Sequence, residues 1–272
     1  MPVLDISGVD TRYSTSASSV REFTYAAPSE PPTKRRPVTQ DIATWMRKTQ
    51  PPGAVWLAGY ARSGAALIRS ILAHNFGQQT ASVYPEAKIG DAYTAALKCL
   101  HWPISTDAMH ALLARQKTIA IKTHEYPTRP AEPVRSIIIV RDARRVFASP
   151  KAFYAARNDT DVSMTDIIRG DHLWRDWSGW IRAWAYASRP DTLWLRYEDV
   201  MAQPWKWMNR LARWLDCPRR GGDFPAFDDL HKANPGIFRC AATTGNGGMT
   251  DDEEKLFWQL HGGTMRMLGY HE

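Results

Sequence analysis

Arg62-Ser63-Gly64, Lys122-Thr123-His124, Arg141 and Tyr197 hold most of the chemistry this sequence offers: cations, hydroxyls, an imidazole and a phenol, each directly after a short, largely apolar run. Gly59 and Gly64 stand five apart. That is the glycine spacing of a phosphate-cradling loop, in which small residues let backbone N–H groups and a helix N-terminus face an anion. A loop built for a nucleoside triphosphate continues with Lys, to reach the outer phosphates, and with a hydroxyl residue, to hold magnesium. Here those positions are Ala65 and Ala66. The loop is therefore expected to hold a phosphate without the triphosphate machinery and without a metal. Arg62 adds a guanidinium fork and Ser63 a hydroxyl for the same anion.

The elements that must position these groups follow from hydrophobic spacing. Val55 to Ala58 reads as a strand buried on both faces, and the apolar residues at 68, 71, 72 and 76 then follow helical spacing. Further buried strands are expected over 118–122, 136–140 and 192–196. Helices are expected over 39–48, 88–100, 105–115 and 143–154, the last kinked or ended by Pro150, and the pattern stays helical over 157–190. Trp174, Trp177, Trp180, Trp184 and Tyr186 in that stretch read as a core stripe. A helix opening at Pro204 and another over 250–267 complete the chain. Alternating strands and helices imply an α/β fold, a three-layer parallel sheet with a P-loop-type strand-loop-helix. Such sheets bind ligands outside the carboxyl ends of their strands. All four strands end in polar groups of the required kind.

Residues 1–38, rich in Ser, Thr and Pro, read as an irregular N-terminal segment, and 39–272 as a single domain. No apolar run approaches the roughly 20 residues that span a bilayer, and the N-terminus lacks the pattern of a signal peptide, so a cytoplasmic protein is expected. The three cysteines are scattered, without metal-ligand spacing. A net charge of +7 favours anionic partners. Because Arg62 and Arg141 sit at separate strand ends rather than in one long run, a phosphorylated small molecule is favoured over nucleic acid or a membrane. No segment specifies an oligomeric state.

Taken together, Arg62-Ser63-Gly64 opening a helix, Lys122-Thr123-His124 followed closely by proline, Arg141 with Ser149 eight residues on, Tyr197-Glu198-Asp199, and Phe238-Arg239 before a Gly-rich loop resemble the sulfotransferases. These enzymes use 3′-phosphoadenosine 5′-phosphosulfate (PAPS). The resemblance covers roughly residues 53–268 in the family's motif order. It implies that Arg62, Ser63, Gly64, Ala65 and Ala66 hold the 5′-phosphosulfate, that Arg141, Ser149 and Arg239 hold the 3′-phosphate, and that Tyr197 lies near the adenine. Ala65-Ala66 replace the family's hydroxyl pair, Pro150 follows Ser149, and Cys240-Ala241 stand where a basic residue and glycine are usual.

Sulfuryl transfer moves a group of dispersed charge from a phosphate to an acceptor, so catalysis should rest on positioning and electrostatics. Arg62 and Lys122 suit the leaving phosphate, and His124 suits the acceptor's proton. The implied acceptor is a small alcohol, phenol or amine, with Tyr84, Trp102, Phe153, Tyr154 and Trp174 in segments that could line its pocket. Singly, the same residues have plainer readings. His124 could cap a loop, Lys122 be a solvated charge, Arg141 pair with Asp142 or Asp199, Ser149 be a plain helix residue, and Tyr197 fill the edge of the core. Glu86, Asp91 and Glu125 are the alternative bases. The competing functions are a P-loop nucleotide or small-molecule kinase, which lacks its Lys-Ser/Thr here, and a non-enzymatic basic nucleotide-binding module, which lacks any RNA- or DNA-binding signature.

Overall fold

The computed structural model describes residues 53–82, 84, 99–100, 111, 114–115, 118–127, 135–148, 162–188, 190–221, 232 and 245–272. The expected helix at 39–48, most of those at 88–100 and 105–115, and Glu86, Asp91, Trp102, Ser149, Pro150, Phe153, Tyr154, Phe238 and Arg239 lie outside them.

β1 (Ala54–Gly59), β2 (Thr80–Ser82), β3 (Cys99–Leu100), β4 (Ile119–Thr123), β5 (Ser136–Val140) and β6 (Leu193–Arg196) form one six-stranded sheet in the order β3-β2-β4-β1-β5-β6. Every neighbouring pair is parallel. The helices are α1 (Ala65–Asn75), α2 (Met164–Arg169), α3 (Trp177–Ala187), α4 (Tyr197–Ala202), α5 (Pro204–Leu215) and α6 (Asp251–Met267), with a further helical stretch at 143–148. Residues 99–100 are strand, not the end of a helix. Among the described residues 162–188 of the expected helical stretch there are two helices, because Gly170 (φ 81°) closes α2 and Asp176 caps α3 by accepting from the N–H groups of Ser178 and Gly179.

The strands alternate between two cores, which is what makes three layers. Val55, Leu57, Ile137, Ile139, Leu193 and Leu195 face α1 and α5. Ala58, Ile138, Val140 and Trp194 face α2, α3 and α6. Trp177, Trp180 and Trp184 are buried in that second core, as a core stripe requires, whereas Tyr186 is 75% exposed on the outer side of α3. No helix among the described residues is long and apolar enough to cross a membrane.

β1 lies between β4 and β5, with β6 beyond β5. The register pairs Ala58 with Thr123, Gly59 with Ile139, and Val140 with Arg196. The carboxyl ends of these four strands are thus level. Tyr60, His124, Arg141 and Tyr197, each the next residue of its chain, emerge side by side along one edge of the sheet.

Candidate active site

The loop after β1 turns tightly. Ser63 N–H donates to the Tyr60 carbonyl at 3.0 Å, and Arg62 (φ 72°) and Gly64 (φ 108°) both take left-handed backbone. Gly64 is needed for space as well as for φ, since a Cβ there would stand 2.6 Å from Cδ2 of the Tyr197 ring. It opens α1, and no side chain caps that helix N-terminus. The first-turn N–H groups of a helix have no partner within it, so they suit an anion.

Arg141 joins this loop from β5. Its guanidinium carbon lies 4.2 Å from the centroid of the Tyr197 ring, and Nη1 donates to the Arg62 carbonyl at 3.4 Å. Asp142, one of the two carboxylates that could have claimed Arg141, instead binds Arg144, whose Nη2 reaches Oδ2 at 2.8 Å. Two buried polar atoms of the cluster, Ser63 Oγ and Arg141 Nε, have no hydrogen-bond partner among the described residues. Leaving such atoms unmatched costs on the order of 1–3 kcal/mol each. A ligand with several anionic oxygens supplies what both lack.

His124 sits across the loop. A carbonyl only accepts, so the 2.6 Å contact of its Nδ1 with the Gly59 carbonyl puts the proton on Nδ1. The lone pair of the neutral ring is then on Nε2. The backbone of His124 is held from both sides: its N–H donates to Tyr84 Oη at 2.8 Å, and its carbonyl accepts from Trp180 Nε1 at 2.9 Å. The ring stacks on Tyr84 with centroids 5.3 Å apart, and Lys122 Nζ lies 5.5 Å from the centroid of that same Tyr84 ring. Tyr84 Oη donates to Glu125 Oε1 at 3.3 Å. Burial, and then the negative charge of Glu125, push its phenol well above its ordinary pKa, so it stays a protonated donor.

Of the residues singled out in the sequence, the structure gathers Arg62, Ser63, Gly64, Arg141 and Tyr197 into one cluster, with Ala65 and Ala66 opening the helix behind it. Lys122, His124 and Glu125 form a second cluster, joined to the first by the His124–Gly59 bond. Ser149 and Arg239 lie outside the described residues.

Three contributions escaped the sequence reading. Trp180 and Trp184 do more than fill the core: Trp180 Nε1 bonds the His124 carbonyl and also lies 3.1 Å from that of Glu125, which Trp184 Nε1 bonds as well at 3.1 Å. Tyr60 anchors the loop after β1, donating to the Arg175 carbonyl at 2.7 Å and meeting His172 Nε2 at 3.0 Å. Burial lowers the His172 pKa to about 4, so at neutral pH the ring is uncharged. The signal for Tyr60 was its place at the end of a buried strand, where a phenol must find a partner. Ser178, His261 and Asp176 resemble a nucleophile-base-acid set, but Asp176 is spent on capping α3, and Ser178 and His261 tie α3 to α6. Ser178 Oγ meets His261 Nδ1 at 2.8 Å, both side chains are buried, and His261 Nε2–H is spent on the Ile168 carbonyl.

A search of curated proteins by sequence found no match. Among solved structures, the fold is similar to mouse sulfotransferase SULT7A1 complexed with PAP, with a TM-score of 0.57 and 16% identity over 79% of this chain and 84% of that one. It is also similar to retinol dehydratase in a complex with retinol and PAP, with a TM-score of 0.53 and 14% identity over 85% of this chain and 86% of that one. A family profile described as the sulfotransferase domain matches residues 52–228, which takes in β1 through α5 and both clusters, so the chain belongs to the sulfotransferase family.

Proposed function

We propose that this sulfotransferase takes its sulfuryl group from PAPS and passes it to a hydroxyl or amine of a small molecule, with His124 as base and Arg62 and Lys122 stabilising the leaving phosphate. The observation that carries the donor assignment is the pair of unmatched buried atoms, Ser63 Oγ and Arg141 Nε, beside the uncapped N-terminus of α1. The bound PAP of both similar structures supports it. PAPS brings a sulfuryl group already activated by its bond to the 5′-phosphate. Ser63, Gly64, Ala65 and Ala66 would hold that phosphate, and Arg141, Ser149 and Arg239 the 3′-phosphate, with the Tyr197 ring beside the adenine.

On this reading His124 Nε2 accepts the acceptor's proton as the acceptor oxygen or nitrogen bonds to sulfur. The bond from sulfur to the 5′-phosphate oxygen breaks, and the negative charge left on that phosphate meets Arg62, Lys122 and the helix N-terminus. No step calls for a metal.

Calorimetry with adenosine 3′,5′-bisphosphate (PAP) in excess chelator tests the donor assignment. Binding should persist undiminished. A requirement for magnesium together with a preference for ATP would overturn it in favour of a kinase. In the same titrations Arg141→Ala should cost PAP about 1.5–3 kcal/mol, the worth of a charge-assisted hydrogen bond, while adenosine 5′-monophosphate loses far less. Equal losses for the two nucleotides would remove Arg141 from the 3′-phosphate.

A further inference from the structure

The carboxylate of Glu198 is not used by the chemistry above, yet it joins three parts of the molecule. Glu198 follows Tyr197 at the start of α4. Its Oε1 accepts the backbone N–H of Asp142 at 3.1 Å, and Asp142 is the residue after Arg141. Its Oε2 accepts from Tyr270 Oη at 2.8 Å. Tyr270 stands near the end of the 272-residue chain, where Gly269 (φ 76°) turns the backbone after α6 and Tyr270 N–H donates to the Met265 carbonyl at 2.9 Å. Tyr270 is 5% exposed, and its ring centroid lies 4.4 Å from the guanidinium carbon of Arg196. Burial first, then the charge of Glu198, raise the Tyr270 pKa, so its hydroxyl remains a donor.

Three consecutive residues are thus held in alternation. Arg196 and Glu198 are clamped by Tyr270, and Tyr197 between them carries Arg141 on its ring face. The peptide that follows Arg141 is tied to the same carboxylate. Besides the Arg62 carbonyl that takes its Nη1, Arg141 has two supports, the Tyr197 ring and the Asp142 peptide, and both run through Glu198 to the segment after α6.

We propose that Tyr270, acting through Glu198, is a positioning residue for Arg141, so that the segment after α6 sets how well this enzyme grips a nucleotide 3′-phosphate. This rests on the assignment of Arg141 to that phosphate. Tyr270 touches no substrate. It fixes the angle at which the Arg141 guanidinium is presented, and a guanidinium binds phosphate well only in a narrow range of orientations.

The test compares PAP with adenosine 5′-monophosphate by calorimetry, using the full chain, Tyr270→Phe, Glu198→Gln, Arg141→Ala, and Arg141→Ala combined with Tyr270→Phe. Tyr270→Phe keeps the ring on Arg196 and removes only the hydroxyl. It should weaken PAP by about threefold to tenfold and the monophosphate by less than about twofold. Glu198→Gln should act in the same direction. In the Arg141→Ala background, Tyr270→Phe should add no further loss for PAP, because the group it positions is gone. If Arg141→Ala abolishes the preference for PAP while Tyr270→Phe and Glu198→Gln retain it, even with a lowered Tm, the positioning role is overturned and the site assignment stands. If the unaltered protein shows no preference for PAP over the monophosphate, the site assignment itself falls, and the proposal with it.

Discussion

Replacing His124 with alanine should lower kcat by roughly 10²–10⁴-fold, the usual worth of a positioned general base, with Tm and PAP affinity close to those of the unaltered protein. The tautomer supports the size of the effect. With Nδ1–H committed to the Gly59 carbonyl at 2.6 Å, Nε2 is the accepting nitrogen, and the ring is fixed to the strand that leads directly into the phosphate loop. Its backbone is held independently by Tyr84 and Trp180, so the side chain can be removed without releasing the segment. The check is initial-rate kinetics across a pH series with PAPS and an acceptor that keeps its own proton throughout the series, such as an unactivated phenol or an alcohol. Rates of the unaltered enzyme should climb with pH as the imidazole gives up its proton, and that limb should be flat in His124→Ala. A variant that keeps near-normal kcat would pass the role to a carboxylate, Glu125, Glu86 or Asp91.

The parts of this architecture legible in the sequence are those where neighbouring residues decide the outcome. β1, β4, β5 and β6 are runs whose apolar residues, but for the half-buried Trp56, are buried on both faces, as in the strands of a parallel sheet. β2 and β3 carry no comparable signal. Thr80–Ser82 and Cys99–Leu100 are strands only because β4 and β2 stand beside them, as the pairings of Thr80 with Ala120 and of Thr80 with Cys99 show. The break between α2 and α3 was legible in principle, since Gly170 and Asp176 are a helix stop and a helix cap, but the tryptophan spacing runs through it and masks it.

The site divides in the same way. Arg62, Ser63, Gly64, Arg141 and Tyr197 come together because parallel strands end level, a property of the fold class that strand assignment already implies. The bonds of His124 to Gly59, of Tyr60 to His172 and of Glu198 to Tyr270 span 65, 112 and 72 residues. Each depends on register and on the placing of loops, which composition and periodicity do not encode. Burial is the common physical thread. A polar side chain inside the molecule must find a partner, but which partner is decided only when the whole chain is packed.

Lys122→Ala is expected to lower kcat by roughly 10²–10³-fold, the range seen when one donor to a developing oxyanion is lost. The residue is the fourth of β4, paired in register with Leu57 one strand away, and its neighbour Thr123 pairs with Ala58. Its stem is therefore as fixed as the sheet centre, and its ammonium stands at the site edge over the Tyr84 ring that also carries His124. A cation over that half-buried ring gains roughly 0.5–2 kcal/mol, so truncation should leave the protein folded. The rate should suffer more, because the charge Lys122 offsets grows as the bond from sulfur to phosphate lengthens and is smaller in the bound ground state. Accordingly kcat should fall with little change in the KM for PAPS. The pH profile separates this role from that of His124, for Lys122→Ala should keep the rising limb at a lower rate throughout. Should Lys122→Ala instead raise the KM for PAPS in proportion to its loss of kcat/KM and leave kcat intact, the lysine serves binding alone, and the leaving charge is met by Arg62 and the N-terminus of α1.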